Sequence, residues 1–409
     1  MPAWTCPFCS LLCDGFALVD AAPPHLTGSD CPRAHAALAS HAEAAPAVRA
    51  RVDGQAATPE AALAAAAGRL AGWRQPLFGG LGTDIAGARA LARLAGRVGA
   101  ICDHADGEAQ MHGLRALQDR GQYQATFGEV RKRADLIVCV GTTAVERHPE
   151  FFRRVGVGEP GSPCEGVVFL AAPVPGRFPP AVPAQSVPGT GDLFADLQQL
   201  AALVQGRRAG AMDPGLAALA QRLRASRYAV LVWEAGALPA HGALAVEAIA
   251  RIVGTLNLTT RAASVPLGGG DGAASVNLVV TWLTGLPLRT RAGEAGLDHE
   301  PLRFGASRLL ADRAVDGVLW IASFDPARVP PETDLPCIVL GPPAMAQRLK
   351  ADDLFIAVAT PGLGAGGHLV RTDGIVIVPL ERVRDDGLPG VAEVLQALDA
   401  RLAAAGAHA

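Results

Sequence analysis

Cys6-Pro7-Phe8-Cys9-Ser10-Leu11-Leu12-Cys13 and, further on, Cys31-Pro32-Arg33-Ala34-His35 hold the densest chemistry in this sequence. The spacing is C-x2-C-x3-C-x17-C, which gathers four of the eight cysteines. Two thiolates three residues apart can face one ion across a tight turn, and a third follows four residues later. A return of the chain supplies the fourth. Four soft sulfur ligands suit a tetrahedral zinc or a cubane iron–sulfur cluster. The competing reading is four buried cysteines acting as small hydrophobes. Three thiols crowded into one short segment favour the metal without choosing which one. Cys102, Cys139, Cys164 and Cys337 stand singly, mostly among apolar residues, and read as reduced structural side chains.

Other clusters are less decisive. Asp103-His104-Ala105-Asp106 places two carboxylates and an imidazole at a strand end, a donor set that could hold a divalent metal. Solvated loop residues are the simpler reading, since adjacent residues seldom supply a whole site. His112, in Met111-His112-Gly113, could serve as acid or base, and a hydrogen-bonded structural histidine accounts for it as well. Arg147-His148-Pro149 is open to the same two readings. Gly79-Gly80-Leu81-Gly82 precedes a helix and could cradle a phosphate, but it fits neither G-x-G-x-x-G nor a P-loop, and a plain strand-to-helix turn suffices. Gly268-Gly269-Gly270-Asp271-Gly272 permits close backbone approach to a ligand or neighbour, or forms a flexible loop. No hydrolase nucleophile elbow or H-E-x-x-H occurs.

The elements that must position these residues alternate between strand and helix. Thr58-Pro59-Glu60 opens an alanine-rich helix ending near Trp73, with Thr58 as N-cap and Pro59 in the first turn. Pro76–Gly80 reads as a buried strand, and Thr83 or Asp84 caps the helix that follows, to about Val98. Further strands are expected at Ala100–Asp103, Leu136–Val140 and Val167–Leu170, then Ala229–Trp233, Val318–Ile321, Ile338–Leu340 and Leu354–Val358. Helices are expected at Gly242–Val253 and Val391–Ala404. The proline-rich span Pro173–Pro188 reads as a surface connection. Continuous apolar strands alternating with helices belong to parallel sheets covered on both faces. The expected fold is therefore α/β, two doubly wound parallel-sheet units behind a small N-terminal cysteine-bound cap. The expected divisions are a cap over 1–50, α/β domains over 51–205 and 206–345, and a C-terminal segment over 346–409 packing back on the core.

With 409 residues, half of them hydrophobic and 18% charged, the chain can bury a large core and cover part of its surface with partner subunits. A net charge of −3 gives no general reason to bind nucleic acid or an anionic membrane. No long apolar run spans a bilayer and no basic-then-apolar leader opens the chain, so a cytoplasmic location is expected.

The cysteine segment resembles the start of the B-type subunit of formylmethanofuran dehydrogenase, a molybdopterin oxidoreductase. The likeness continues at Phe127-Gly128-Glu129-Val130, Arg133-Ala134-Asp135 and Arg147-His148-Pro149. It returns at Thr281-Trp282-Leu283-Thr284-Gly285-Leu286-Pro287, at Gly366-Gly367-His368, and at Arg371-Thr372-Asp373-Gly374. The resemblance implies an iron–sulfur cluster on Cys6, Cys9, Cys13 and Cys31 and a tungsten or molybdenum pterin between the α/β units. The sequence departs from that family at the pterin. Where the family has a metal-ligating Cys or selenocysteine before His-Gly, this chain has Met111, whose neutral thioether is a poor substitute for a thiolate on a high-valent metal. Thr143-Ala144 replaces the family's Asn-Pro, and Gly268 stands near where the family carries an active-site Arg.

These departures turn the resemblance towards a formyltransferase/hydrolase complex of aerobic methylotrophic bacteria, which moves a formyl group through methylofuran to formate without electron transfer. A non-catalytic, redox-inactive B-type subunit of such a complex is the function this implies, with the other subunits and methylofuran as partners and no molybdopterin. The alternative is the catalytic B-type subunit of a tungsten or molybdenum formylmethanofuran dehydrogenase. A free-standing metal-dependent hydrolase has only the Asp103–Asp106 cluster in its favour. Without electrons to carry, the four cysteines would fasten the N-terminal segment. Zinc is favoured for that task, with a structural [4Fe–4S] cluster and an empty site as the alternatives.

Overall fold

Local signals set the helices that frame the sheets. Thr58 accepts a hydrogen bond from the Ala61 N–H and caps the helix Pro59–Gly72. Asp84 caps Ile85–Val98 through the Gly87 N–H at 2.9 Å, and Gly99 closes that helix in the left-handed region, φ 64°. Both capping motifs satisfy amide groups that a helix start would otherwise leave without partners. The computed structural model describes residues 4–19, 24–42, 48–207, 212–293 and 295–406.

The chain forms two compact units. One comprises Met1–Gly107, Gly269–Arg371 and Ile377–Ala409; the other comprises Glu108–Gly268 and Thr372–Val376. The larger unit holds a seven-stranded sheet in the spatial order Gln55–Ala56, Ala50–Val52, Leu354–Ala357, Cys337–Gly341, Gly317–Ala322, Pro76–Gly82, Ile101–Cys102. The last five strands are parallel, and the first two form an antiparallel hairpin on the edge. Alternate residues serve opposite faces. Phe78, Leu319, Ile338 and Ile356 pack with the helices bearing Leu70, Leu91 and Leu395. Leu77, Val318, Val339 and Phe355 pack on the other side with Phe304 and Leu309. A strand buried on both faces has no polar side to alternate with, which is why these segments read as unbroken apolar runs.

The smaller unit holds five parallel strands in the order Arg261–Leu267, Tyr228–Glu234, Leu136–Val140, Gly166–Leu170, Ala184–Val187. Its strand order reverses between Leu136–Val140 and Tyr228–Glu234, the place where open parallel sheets form a crevice at their carboxyl ends. One face packs Val138, Val168 and Leu231 against helices Leu193–Val204, Pro214–Ala225 and Gly242–Leu256. On the other, Phe169 meets Phe152 and Phe178, with ring centroids 6.1 and 5.8 Å away.

Two strands add to the expected elements, and the first corrects one of them. Ala184–Val187 is a strand inside the proline-rich span that reads as a surface connection, and Arg261–Leu267 carries Pro266. Both lie at the outer ends of the five-strand order, where a missing N–H costs least. The expected spans 51–205 and 206–345 are each one stretch of chain; the compact units are built from 1–107, 269–371 and 377–409, and from 108–268 and 372–376. The strand Pro76–Gly82 pairs with Gly317–Ala322, so residues 108–268 are inserted between two neighbours of one sheet.

Candidate functional site

The cysteine segment folds back on itself. The Cys6 N–H donates to the Cys13 carbonyl at 2.9 Å, and the Leu12 N–H donates to that of Cys9 at 3.1 Å. Leu12 takes a left-handed backbone, φ 45°, to close this turn. A two-stranded hairpin, Ala17–Val19 with His25–Thr27, carries the chain to Cys31, whose carbonyl accepts from the His35 N–H in the first turn of helix Pro32–Ala42. All four thiols are buried, and no disulfide joins them. Burial pushes the Cys6 thiol far above its ordinary value, and Cys9, Cys13 and Cys31 lie close enough to push it further. The four sulfurs therefore share one buried neighbourhood. Among the described residues, however, no three His, Cys, Asp or Glu side chains converge as a metal-holding group. The donors fit zinc or a cluster in kind and number, while their convergence on a single point is not seen among the described residues. The segment rests on the larger unit through Leu12, packed with Phe324, Leu369 and Leu380, and through the Trp4 indole N–H, 2.8 Å from the Gly362 carbonyl.

Asp103 and His104 are neither solvated nor arranged as metal ligands. Asp103 is buried and paired with Arg289, whose Nε and Nη2 lie 3.1 and 3.3 Å from its two oxygens. The Ala306 N–H adds a third donor at 2.8 Å. Burial pushes the Asp103 carboxyl up, against the downward pull of the Arg289 guanidinium. His104 spends both ring nitrogens internally, Nδ1 accepting from the Asp106 N–H at 3.0 Å and Nε2 lying 3.3 Å from the Asp271 carbonyl. That arrangement occupies both ring nitrogens and leaves no lone pair for a metal. Arg328 bridges Asp106 at 2.9 Å and Asp271 at 3.1 Å. The cluster is a buried structural network.

The glycine clusters serve close packing of the chain on itself. A Cβ on Gly79 would stand 2.9 Å from the Trp320 ring, and one on Gly80 would stand 2.6 Å from the Ile321 carbonyl oxygen. Gly272, at φ 76°, leaves only 2.1 Å between a Cβ and the Thr83 carbonyl oxygen. The loop is thus tightly seated against Thr83, at the carboxyl end of the Pro76–Gly82 strand. Ser323 covers the same strand end, donating through its N–H and its hydroxyl to the Gly82 carbonyl, both at 2.8 Å.

In the smaller unit a buried acid stands at the strand-order reversal. Glu234, at the end of its strand and 3% exposed, accepts a hydrogen bond from the Thr142 hydroxyl at 2.9 Å. Arg147 Nε lies 3.4 Å from the same carboxylate and His148 Nδ1 lies 3.9 Å away. Thr142 Oγ1 also receives the Ala144 N–H at 2.9 Å, holding Ala144 at φ 64°. The Glu234 carboxylate offsets the Arg147 guanidinium, so the pair offers a phosphate little net positive charge. Met111 is buried on helix Gly107–Arg120, and the His112 ring abuts Gly242, where a Cβ would come within 2.7 Å. Glu234 has no motif around it in the sequence. Its only early signal is an acidic residue ending an apolar strand.

Several sequence patches beyond the cysteines prove to be backbone devices. Thr126 and Glu129 form a reciprocal capping box on helix Phe127–Arg133, and Asp373 accepts from the Phe127 N–H at 3.1 Å. Asp135 receives the Arg227 and Tyr228 N–H groups at 2.8 and 3.0 Å, tying together the starts of two adjacent strands. Gly285 ends helix Ala273–Thr284 at φ 80°. Among the described residues no helix is long and apolar enough to cross a membrane.

No family model matches the sequence. Among curated proteins, the B-type subunit of the formyltransferase/hydrolase complex Fhc of Methylorubrum extorquens is 31% identical over 326 residues, covering 78% of this chain and 87% of that protein. The B-type subunit of tungsten-containing formylmethanofuran dehydrogenase 2 of Methanocaldococcus jannaschii is 24% identical, covering 96% of each chain. Among solved structures, one protein chain of the formyltransferase/hydrolase complex FhcABCD from Methylorubrum extorquens, crystallised with methylofuran, superposes with a TM-score of 0.76. It is 28% identical, and the match covers 88% of this chain and 99% of that one.

Proposed function

The chain belongs to the family of the B-type subunit of the formyltransferase/hydrolase complex, and from that premise we propose that it is a non-catalytic, redox-inactive scaffold subunit of such a complex in one-carbon metabolism. Its partners are then the other members of the assembly, with methylofuran carried by the complex. Its fold is that of a molybdopterin oxidoreductase-like subunit with an N-terminal cysteine cap. The single observation that carries the redox-inactive reading is the buried Glu234 carboxylate at the strand-order reversal, held by Thr142 and Arg147. A pterin cofactor needs positive potential for its phosphate-bearing tail, and a carboxylate already paired with the nearby guanidinium leaves little of it. Met111 supports the same conclusion, because a neutral thioether gives a high-valent metal no anionic ligand.

Cys6, Cys9, Cys13 and Cys31 would hold zinc or a [4Fe–4S] cluster, and a cation there would offset the crowding of four thiolates. Zinc suits this reading, since it brings no redox chemistry of its own. The chain's own contribution is mechanical: Leu12 and Trp4 fasten the segment to the larger unit. The alternative, a catalytic formylmethanofuran dehydrogenase component, has the likeness to the tungsten-containing enzyme's B-type subunit in its favour.

The test is affinity purification of the chain from its native cell, followed by partner identification and elemental analysis. Formyltransferase/hydrolase subunits should accompany it, with molybdenum and tungsten far below one atom per chain. Near-stoichiometric molybdenum or tungsten would overturn the redox-inactive reading. Isolation without those partners would overturn the assignment to a complex.

A further inference from the structure

We propose that the larger unit docks another subunit of the assembly through the outward side of two adjacent helices, Ile85–Val98 and Ala273–Thr284. The docked surface presents carboxylates around an apolar pocket. The inference rests on the scaffold reading and names where one partner sits. The two helices pack side by side and share Leu91, Ala95, Val276 and Val279 in one core. The stretch Thr281–Pro287 at the end of the second helix divides into two kinds of residue. Its polar members fasten the helix end: the Thr281 hydroxyl donates to the Asn277 carbonyl at 2.7 Å and that of Thr284 to the Val280 carbonyl at 2.8 Å. The Thr284 hydroxyl also receives the Leu286 N–H at 3.1 Å. Its large apolar members are left outside, with Trp282 58% and Leu283 54% exposed. Leu278, half-buried, lies one turn before Trp282 on the same side of the helix. A rigidly held, exposed Trp is the kind of side chain that anchors a protein interface.

Charge selects the occupant. Neither helix contains an Asp or Glu within its span. Of the three arginines on Ile85–Val98, Arg97 pairs with Asp399 on a third helix. Arg89 and Arg93 stand one turn apart, exposed, and meet no carboxylate among the described residues. Between them and the core the helix is low: Ala92 is half-buried, and a Cβ on Gly96 would meet nothing within 4 Å. Two unspent guanidinium forks beside an exposed Trp–Leu pair call for carboxylates beside an apolar pocket on the partner. A second copy of this chain does not supply them. A two-fold meeting of this face with itself would crowd the arginines of both copies together with no acid on either helix. A different subunit is free to carry the complementary charge.

The test compares the tagged full chain with two variants, Trp282→Ala and the double variant Arg89→Glu with Arg93→Glu, each produced in the native cell. The wild-type chain should bring down the subunits of the complex. Each variant should keep the melting curve of the wild type and bring down at least one of those subunits about tenfold less well. A second measurement needs no variant: phenylglyoxal labelling of Arg89 and Arg93, mapped by mass spectrometry, should be slower in the assembled complex than in the isolated chain. A benzoylphenylalanine in place of Trp282 should cross-link, on irradiation, to an Asp- or Glu-bearing segment of a different subunit. Normal assembly by both folded variants, equal labelling in the two states, or a cross-link to a second copy of this chain would each overturn this inference alone. A wild-type chain that brings down no such subunit would overturn the scaffold reading and this inference with it.

Discussion

Replacing Arg289 by Met isolates the Asp103 carboxylate in the interior of the larger unit. Arg289 is 1% exposed and Asp103 is 2% exposed, so water cannot take over the lost partner. Two guanidinium hydrogen bonds disappear, at 3.1 and 3.3 Å, while the donation from the Ala306 N–H stays. Breaking a buried pair by removing one member costs about 3–5 kcal/mol. Burial already raises the Asp103 carboxyl in the intact protein, and losing Arg289 raises it further. A carboxyl whose folded pKa lies above its unfolded value binds its proton more readily when folded. Its ionisation therefore removes stability as pH rises from the ordinary carboxylate range through the raised folded value. The deficit of the variant should be full at pH 7.5 and shrink towards pH 5. Urea denaturation followed by tryptophan fluorescence, in parallel for both proteins, gives the difference directly, and Trp320 reports on the same unit. The double variant Asp103→Leu with Arg289→Met should recover part of the loss, since no charge is then left buried. A deficit under about 1 kcal/mol, or one that does not change with pH, would refute the account of Asp103 as a structural ion pair.

Cys9→Ser should release most of any zinc or iron bound by the chain and loosen the N-terminal segment to limited proteolysis, while the smaller unit keeps its melting transition. Metal content equal to wild type would count against the four-cysteine centre. His112→Ala should leave formyl transfer and hydrolysis by the assembled complex nearly unchanged, and a loss of turnover in a normally assembled complex would show that this chain contributes to catalysis. Thr142→Val removes a hydroxyl donor from a buried carboxylate and should cost about 1.5–3 kcal/mol, read as a lowered urea midpoint. No change would mean that the Thr142 hydroxyl is not what holds Glu234.

Much of the architecture was legible because its signals are local. Thr58-Pro59 and Asp84 announce helix starts within three residues, and unbroken apolar runs such as Leu136–Val140 announce strands buried on both faces. What stayed hidden depends on partners far along the chain. Asp103 reads as a loop acid until Arg289 arrives from 186 residues away. Glu234 carries no signal beyond its place next to the strand Ala229–Trp233, and its partner Thr142 lies 92 residues earlier. The edge strands Ala184–Val187 and Arg261–Leu267 were obscured by proline, whose cost depends on the position of a strand in its sheet rather than on sequence. The cysteine spacing brought four thiols into one buried neighbourhood but did not by itself place them around a point.

The insertion of residues 108–268 into the larger sheet also sets an order of events during synthesis. The Ser323 hydroxyl finds its acceptor at Gly82 only after 241 residues have passed. Throughout that interval the strand Pro76–Gly82, apolar and destined to be buried along its whole length, lacks its neighbour Gly317–Ala322. The smaller sheet has all five of its strands by Leu267 and can close first, because its pairings span shorter loops. A nascent chain paused between these points carries one finished sheet and one open, sticky edge. Production of this protein should therefore depend on a chaperone that shields that edge until the C-terminal third emerges, and slowing translation after residue 268 should lower soluble yield more than slowing it before residue 108.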